Sequence, residues 1–379
     1  MIVAGEGSGD LYGSELAKAI SQLRPDLKIK GVAGPKMRGA GVEALFNAED
    51  ISVVGIFEAV GKLRFLKRVF NGIKKELLSK KYASIVLIDL PDFNLRLAKA
   101  AKEIGIPVIY YISPQIWAWR RWRIKKVKRY VDKMLVILPF EVEFYKKSGV
   151  DVEFVGHPLI DLVKTPYSKE EICHRFDLEM DEPIICLVPG SREIEIKHNF
   201  PIIIQSAEII KKALPESQFI LPLATTLDRQ QVEKFISKKD LEIKITEDLT
   251  YDTMNTADFI IVVSGTATLE TALLEKPMVI FYRGTLFEWL LVETFLTIPY
   301  FGLVNIIAGK EIVPELRQYQ ASPKKIAEIT IKALKESNYY NSMKEELLKI
   351  RQVLGEPGAS MRCAQKISDF LENRTTASV

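Results

Sequence analysis

Short apolar runs without polar alternation recur along the whole chain and limit what it can fold into. Each run predicts a strand that is buried on both faces, as in a parallel sheet, because neither side of the strand carries polar residues. Helical segments and small-residue turns separate the runs, a rhythm that is typical of α/β folds. The clearest runs cover residues 84–88, 107–112, 133–138, 183–188, 218–223, 259–263 and 277–283, and a further strand is expected at 242–246.

The length and a polar segment predict how these strands divide between domains. A chain of 379 residues is too long for one ordinary hydrophobic core, so two domains are expected. The polar segment 161–181 contains Pro166 and predicts the connection between them. We therefore predict an α/β protein with two Rossmann-like domains that face each other across a ligand-binding cleft. The predicted parts are residues 1–162, residues 163–345 and a set of C-terminal helices, 346–379.

Composition excludes several classes of protein. The formal net charge of +4 is modest for this length and does not by itself argue for nucleic-acid binding. The three cysteines are widely spaced, which indicates a reducing compartment and no metal-ligand pattern. No signal peptide follows Met1, and the apolar stretch 294–309 is shorter than the roughly 20 residues that span a bilayer. We expect a cytoplasmic protein that is able to lie on a membrane. The first strand is short, which suggests a translation start upstream of Met1.

Two small-residue segments follow predicted strands in the second half of the chain. Ser264 to Glu270 follows residues 259–263, and its hydroxyls and new helix N-terminus suit a phosphate. Glu270 is a candidate ligand for sugar hydroxyls. The same residues also fit a simple helix cap. Pro189 to Arg192 follows another strand and supplies a forked guanidinium for a diphosphate.

Carboxylates follow the strand at residues 84–88. Ligands of open α/β sheets gather beyond the carboxyl ends of strands, so Asp89 and Asp92 are candidates for a general base. Asp92 also fits as a cap for a helix that starts near Asn94, so Asp89 is the better candidate for the general base. His157 ends the first half and is either a ligand contact or a structural residue.

A basic and apolar region in the first half has several interpretations. Residues 53–70 are typical of an amphipathic helix on an anionic lipid surface, and equally of a helix packed on its own domain with a solvated basic face. Trp117, Trp119 and Trp122 lie beside a second basic helix, where they are suited to stacking on bases, framing a sugar or anchoring at a membrane. The first glycine-rich turn resembles a dinucleotide fingerprint only loosely.

Seven motifs occur in the order in which one known family carries them. They are Gly5-Glu-Gly-Ser-Gly-Asp10, Asp89-Leu-Pro-Asp-Phe-Asn94, Ser113-Pro-Gln-Ile-Trp-Ala-Trp-Arg120, Leu138-Pro-Phe-Glu141, Phe154-Val-Gly-His-Pro158, Leu187-Val-Pro-Gly-Ser-Arg192 and Ser264-Gly-Thr-Ala-Thr-Leu-Glu270. From about Ala4 to about Cys363 the chain resembles the lipid-A-disaccharide synthases. The resemblance implies a glycosyltransferase of the two-Rossmann-domain (GT-B) class.

The resemblance also implies a reaction. UDP-2,3-diacylglucosamine would be the donor and 2,3-diacylglucosamine 1-phosphate the acceptor, giving a β(1→6)-linked disaccharide 1-phosphate and UDP with inversion. The enzyme would work without a metal or other cofactor at the cytoplasmic face of the inner membrane of a Gram-negative-type bacterium, as a peripheral membrane protein. A homodimer with exchanged C-terminal helices is a further implication, beside helices that pack back on the first domain.

The implied site residues fall into four groups. Asp89 would be the catalytic base, and no metal ligands are expected. The expected UDP-binding residues are Gly190, Ser191, Arg192, Ser264, Gly265, Thr266, Ala267, Thr268, Glu270 and Asn305; Val304 stands where the family carries proline. The acceptor or cleft candidates are Glu6, Ser8, Gly9, Asp92, Trp117 and His157. The expected membrane or acyl-chain surface comprises Val54, Ile56, Phe57, Val60, Leu63, Phe65 and Leu66.

Three alternatives remain on sequence grounds. The first is another UDP-sugar transferase of this fold, whose first loop would be richer in glycine. The second is a nucleic-acid-binding module that uses the tryptophans and basic helices, with steep salt dependence. The third is a peripheral membrane scaffold without chemistry.

Overall fold

The computed structural model describes residues 1–5, 7–48, 59–79, 81–237, 241–284 and 298–376, without the side chains of 59–63 and 375–376. It divides into two compact units. Domain 1 comprises Met1–Pro158 and Leu354–Val379, and domain 2 comprises Leu159–Val353. The last segment of the chain therefore belongs to the same unit as the first.

Domain 1 is built on a seven-stranded, entirely parallel sheet with the order β3-β2-β1-β4-β5-β6-β7. Its strands are β1 (Ile2–Val3), β2 (Lys30–Ala33), β3 (Glu43–Asn47), β4 (Ile85–Ile88), β5 (Val108–Tyr111), β6 (Lys133–Val136) and β7 (Val152–Phe154). Its helices are α1 (Gly7–Leu23), α2 (Pro35–Gly39), α3 (Ala59–Leu77), α4 (Pro91–Ile104), α5 (Ile124–Tyr130) and α6 (Pro139–Lys147), with α16 (Ala359–Thr376) from the end of the chain.

The sheet of domain 1 is covered on both faces, as its apolar strands require. One face packs Val3, Leu87 and Val108 against residues of α3 and α4 such as Val69 and Ala98. On the other face, Ile88 lies beside α1, since a Cβ added at Gly9 or Gly13 would be 3.8 or 3.3 Å from its side chain. Helix α16 packs against α1 of its own chain.

Domain 2 repeats the plan with a six-stranded parallel sheet of order β10-β9-β8-β11-β12-β13. Its strands are β8 (Ile184–Val188), β9 (Gln218–Pro222), β10 (Lys244–Thr246), β11 (Phe259–Val263), β12 (Met278–Tyr282) and β13 (Glu315–Arg317). Its helices are α7 (Leu159–Leu162), α8 (Lys169–Phe176), α9 (Glu193–Ala213), α10 (Arg229–Ile236), α11 (Thr250–Thr256), α12 (Thr266–Leu273), α13 (Leu303–Ala308), α14 (Pro323–Lys335) and α15 (Ser337–Val353).

The predicted alternation of helices and buried parallel strands is confirmed in both domains. Two edge strands, β3 and β13, were not predicted; both are short and carry polar residues. The first helix begins at Gly7, so the glycine-rich segment forms its first turn. Among the described residues, no helix is long and apolar enough to cross a membrane.

Helix α3 packs on its own domain with its apolar side. Val69, Ile73 and Leu77 are fully buried, and Phe65 and Leu66 are partly buried against the same core. Arg64, Lys67 and Arg68 are exposed. For Phe65 and Leu66, the packed-helix interpretation therefore fits better than an open acyl-chain surface. Val54, Ile56 and Phe57 lie outside the described residues, as do the side chains of Val60 and Leu63.

Candidate active site

Asp89 lies at the switch point of the sheet in domain 1. The strand order changes direction between β1 and β4, and ligands of open α/β sheets bind beyond the carboxyl ends of strands at such a point. Asp89 directly follows β4, and the buried Gly9 of α1 lies beside Ile88, the last residue of that strand. Ser8, half-buried, belongs to the same first turn, whereas Glu6 lies outside the described residues. The structure therefore brings two of the predicted segments to one edge of the sheet.

The backbone of Asp89 is held in a strained conformation. Asp89 and Leu90 both have φ of 47°, in the left-handed region that costs a non-glycine residue about 1–2 kcal/mol. Asn94, which is fully buried, donates its amide to the carbonyls of Ile88 (3.1 Å) and Asp89 (2.8 Å). The hydroxyl of Tyr110 also donates to the Asp89 carbonyl, and burial raises the pKa of that hydroxyl well above its usual value. Such over-determined strain is typical of functional positions, and it fixes where the half-buried Asp89 side chain begins.

Asp92 forms ion pairs in place of a helix cap. Helix α4 begins at Pro91, so Asp92 lies in its first turn, and the predicted start at Asn94 is wrong. Its carboxylate pairs with the buried guanidinium of Arg123 and lies 3.5 Å from Arg120. It therefore ties α4 to the basic segment that follows β5.

Trp117 belongs to a buried network around Glu141. The Glu141 carboxylate accepts hydrogen bonds from the hydroxyl of Ser113 (2.5 Å), the indole N–H of Trp117 (2.9 Å) and the backbone N–H of Leu138 (3.2 Å). Burial raises the pKa of Glu141 to about 7. Trp117 is only 5% exposed and packs edge-on against Phe140, so it shapes the loop from within. It is not placed to stack on a base.

His157 is buried in domain 1. Its exposure is 3%, its ring meets that of Tyr12 edge-on at 6.1 Å, and its backbone N–H donates to the carbonyl of Leu354. Burial lowers its pKa to about 3, so the imidazole is neutral at physiological pH. Its predicted contact with an acceptor would therefore be that of a neutral side chain.

Two predicted phosphate loops lie at the switch point of the sheet in domain 2. Strands β8 and β11 are neighbours there, and they end in Pro189 to Arg192 and in Ser264 to Glu270. The carboxyl ends of adjacent parallel strands lie at one edge of a sheet, so the structure brings these two segments together.

The first loop is organised by Glu195, a residue that the sequence analysis did not single out. Its carboxylate accepts the backbone N–H groups of Ser191 (3.0 Å) and Arg192 (3.3 Å). Gly190 has a φ of 103°, and a Cβ there would lie 2.3 Å from Glu195 Oε2. The exposed Arg192 is the N-cap of α9, three residues before Glu195, which is the spacing of a capping box.

The second loop leads into helix α12. Gly265 is its N-cap, and a Cβ added there would meet nothing within 4 Å, so the space beside the loop is open. The N–H groups of Thr266 and Ala267 belong to the first turn, whose donors have no intrahelical acceptor and which carries the positive end of the helix dipole. The buried Thr268 hydroxyl donates to the carbonyl of Gly265 at 2.8 Å and so stabilises the turn.

The remaining members of this loop differ in their surroundings. Ser264 is half-buried, and its backbone N–H donates to Phe281 of β12 at 2.9 Å. Glu270 is half-buried and accepts a hydrogen bond from the hydroxyl of Tyr251 at 3.1 Å. Tyr251 thus orients the carboxylate that was expected to bind ribose hydroxyls.

The Asn305 side chain is buried and hydrogen-bonded within domain 2. It is fully buried, its amide donates to Val313 O (2.9 Å) and Glu315 Oε2 (3.0 Å), and its oxygen accepts from Ile312 N (2.8 Å) and Val313 N (3.2 Å). These bonds use both donors and both lone pairs of the side chain. The Asn305 side chain is therefore fully used within the protein, and its expected contact with a nucleotide stays a prediction.

Comparison with known proteins identifies the family. A family model described as lipid-A-disaccharide synthetase matches residues 1–366. The lipid-A-disaccharide synthase of Trichlorobacter lovleyi is 42% identical over 372 residues, which are 98% of this chain and 97% of that protein. Among solved structures, the MnaA–UDP complex of S. aureus has a TM-score of 0.68 at 13% identity, covering 98% of this chain and 96% of that one.

A second solved structure supports the fold. CalG4, the calicheamicin glycosyltransferase, has a TM-score of 0.61 at 12% identity, covering 98% of this chain and 97% of that one. Together with the two parallel-sheet domains, these likenesses give the GT-B fold. The sequence matches extend over nearly the whole chain and decide between the alternatives that the sequence left open. The chain belongs to the lipid-A-disaccharide synthase family of glycosyltransferases.

Proposed function

We propose that the protein transfers 2,3-diacylglucosamine from its UDP donor to 2,3-diacylglucosamine 1-phosphate. The products are the β(1→6)-linked disaccharide 1-phosphate and UDP. Membership of the family supports this substrate pair. An α-linked donor that yields a β-linked product requires a single displacement with inversion, and hence a base for the acceptor hydroxyl.

Asp89 is the proposed base. The observation that carries this assignment is its fixed, left-handed backbone at the switch point of domain 1, held by Asn94 and Tyr110. A carboxylate with a fixed starting point can be aimed at one hydroxyl, and positioned proton transfer contributes about 10²–10⁴-fold in rate. As the bond to the anomeric carbon forms, the proton moves to Asp89 and UDP leaves.

Domain 2 is proposed to bind the nucleotide. The N-terminus of α12 and the guanidinium of Arg192 offer positive charge to the leaving diphosphate, and Glu270 offers a carboxylate to the ribose hydroxyls. Donors of this kind stabilise the charge that develops on UDP without a metal ion. We therefore propose metal-independent catalysis.

The test uses purified protein with both acylated substrates in detergent. We expect UDP release and a disaccharide 1-phosphate whose anomeric proton shows β coupling by NMR, at a rate that EDTA does not change. Asp89→Asn should lower kcat by about 10²–10⁴-fold and leave UDP affinity unchanged. Asp26→Asn, which alters an exposed carboxylate paired with Arg24, serves as the control.

The outcomes separate the parts of the proposal. No UDP release with authentic substrates would reject the reaction. A rate for Asp89→Asn within twofold of wild type would reject Asp89 as the base. A rate that EDTA abolishes and Mg²⁺ restores would reject metal independence.

Domain 1 is also proposed to bind an anionic membrane surface peripherally. The exposed Arg64, Lys67 and Arg68 of α3 support electrostatic attraction to anionic lipids. We expect sedimentation with phosphatidylglycerol vesicles at 50 mM salt and release at 500 mM, with no sedimentation on phosphatidylcholine vesicles. Binding that does not change with salt would contradict an electrostatic surface.

A further inference from the structure

Arg283 lies at the same edge of the sheet as the two proposed phosphate loops. Strand β12 pairs with β11, Phe281 lies opposite Val263, and the backbone N–H of Ser264 donates to Phe281 O at 2.9 Å. Arg283 therefore follows the strand directly beside the one that ends in Ser264. Its side chain is exposed.

Two buried amides fix the backbone at this strand end. Asn199 of α9 is 1% exposed, and its Oδ1 accepts the backbone N–H of Arg283 at 2.9 Å. Gln318 is 7% exposed and bonds to Gly284 twice, accepting its N–H at 3.1 Å and donating to its carbonyl at 3.3 Å. Buried side chains that are satisfied only by one backbone conformation determine where the exposed Arg283 side chain starts.

Asn199 also connects Arg283 to the loop after β8. Its Nδ2 donates to the backbone carbonyl of Glu195 at 3.1 Å, and the carboxylate of Glu195 holds the N–H groups of Ser191 and Arg192. One buried asparagine thus ties together the ends of β8 and β12, on either side of the loop that leads into α12.

Glu195 partly offsets the positive charge at the first loop, so binding a diphosphate there requires another cation. Glu195 takes two backbone donors that would otherwise face an anion, and its carboxylate lies 3.8 Å from Arg192 Nη1, which offsets the charge of that arginine. A diphosphate carries at least two negative charges, and planar guanidinium groups bind its oxygens well. An arginine at the end of β12, two strands away, adds a positive charge that Glu195 does not offset.

We propose that Arg283 binds the diphosphate of the nucleotide-sugar donor and that Asn199 is its positioning residue. This rests on the proposed function, in which domain 2 binds a UDP-linked sugar. Neither residue belongs to the motifs that identified the family from the sequence.

The first test is titration calorimetry of wild type and Arg283→Ala with UDP and with uridine, which lacks the phosphates. A lost charge-assisted contact should weaken UDP binding by about 10–100-fold and leave uridine binding unchanged. Arg283→Lys should fall between, because lysine keeps the charge and loses the fork. Arg175→Ala removes an exposed arginine from α8, which leads into the amino end of β8, and should leave UDP affinity unchanged.

The outcomes distinguish this inference from the proposed function. If wild type binds UDP and Arg283→Ala binds it with the same affinity, the inference alone is overturned. A wild type that does not bind UDP would overturn the proposed function and the inference with it. An equal loss for UDP and uridine would also overturn the inference, since it would place the effect away from the phosphates.

A double-mutant cycle tests Asn199. Asn199→Ala removes the acceptor for the Arg283 N–H together with the donor to the Glu195 carbonyl, so it should weaken UDP binding and spare uridine binding. If Asn199 acts through Arg283, the fold-losses of the two variants should combine to less than their product. Fully multiplicative losses would overturn the positioning role. A melting curve for each variant verifies that the protein remains folded during the titrations.

Discussion

Replacement of Asn305 by alanine should lower the stability of domain 2 and leave ligand binding by the folded protein unchanged. Asn305 is 0% exposed and makes four hydrogen bonds, and alanine would leave the backbone N–H groups of Ile312 and Val313 buried without their acceptor. Each such orphaned group costs about 1–3 kcal/mol. The Glu315 carboxylate would lose the Asn305 amide but would still accept the N–H of Gly302, so it adds less to the cost of the replacement. We expect a loss of about 3 kcal/mol in the free energy of unfolding.

The assay is thermal unfolding of the whole protein, followed by calorimetry of UDP binding below the transition. In a domain of about 200 residues, 1 kcal/mol shifts Tm by about 2–4 °C, so Asn305→Ala should lower the Tm of domain 2 by about 6–12 °C. Asn341→Ala deletes the same group from an exposed helix position and should shift Tm little. A Tm within about 1 °C of wild type together with a tenfold weaker UDP affinity would refute the structural role, because the amide would then serve the nucleotide.

Two further predictions concern Glu141 and Tyr251, which contact predicted site residues. The pKa of Glu141, about 7 in the folded protein, exceeds its unfolded value, so its contribution to the stability of domain 1 is present below about pH 4.5 and is lost as pH rises through 7. Urea unfolding at pH 5 and pH 8 should show a smaller difference for Glu141→Gln than for wild type, and an equal difference would contradict this. Tyr251→Phe removes the hydroxyl that donates to Glu270 and should weaken UDP and uridine alike by about 2–10-fold in calorimetry. A loss confined to UDP would contradict a ribose role for Glu270.

Local sequence patterns predicted the central strands and the edge strand β10, and missed the edge strands β3 and β13. Strands such as β4 and β11 are apolar on both faces because both faces are covered, and the composition of the segment reports this directly. Strands β3 and β13 pair on one side only and carry Glu43 and Glu315 at their starts, so their segments resemble loops. The pairing that makes them strands comes from residues elsewhere in the chain.

The sequence by itself determined the two parallel α/β domains, the family, and the strand-end segments that contain Asp89, Arg192 and Ser264, since each depends on residues that are close in the chain. Only the tertiary structure decided that the Asn305 amide is fully used, that Glu195 occupies the backbone donors beside Arg192, and that Asn199 holds Arg283. The physical reason is distance along the chain. A hydrogen bond between residues 84 positions apart, as from Arg283 to Asn199, leaves no periodic pattern in either segment.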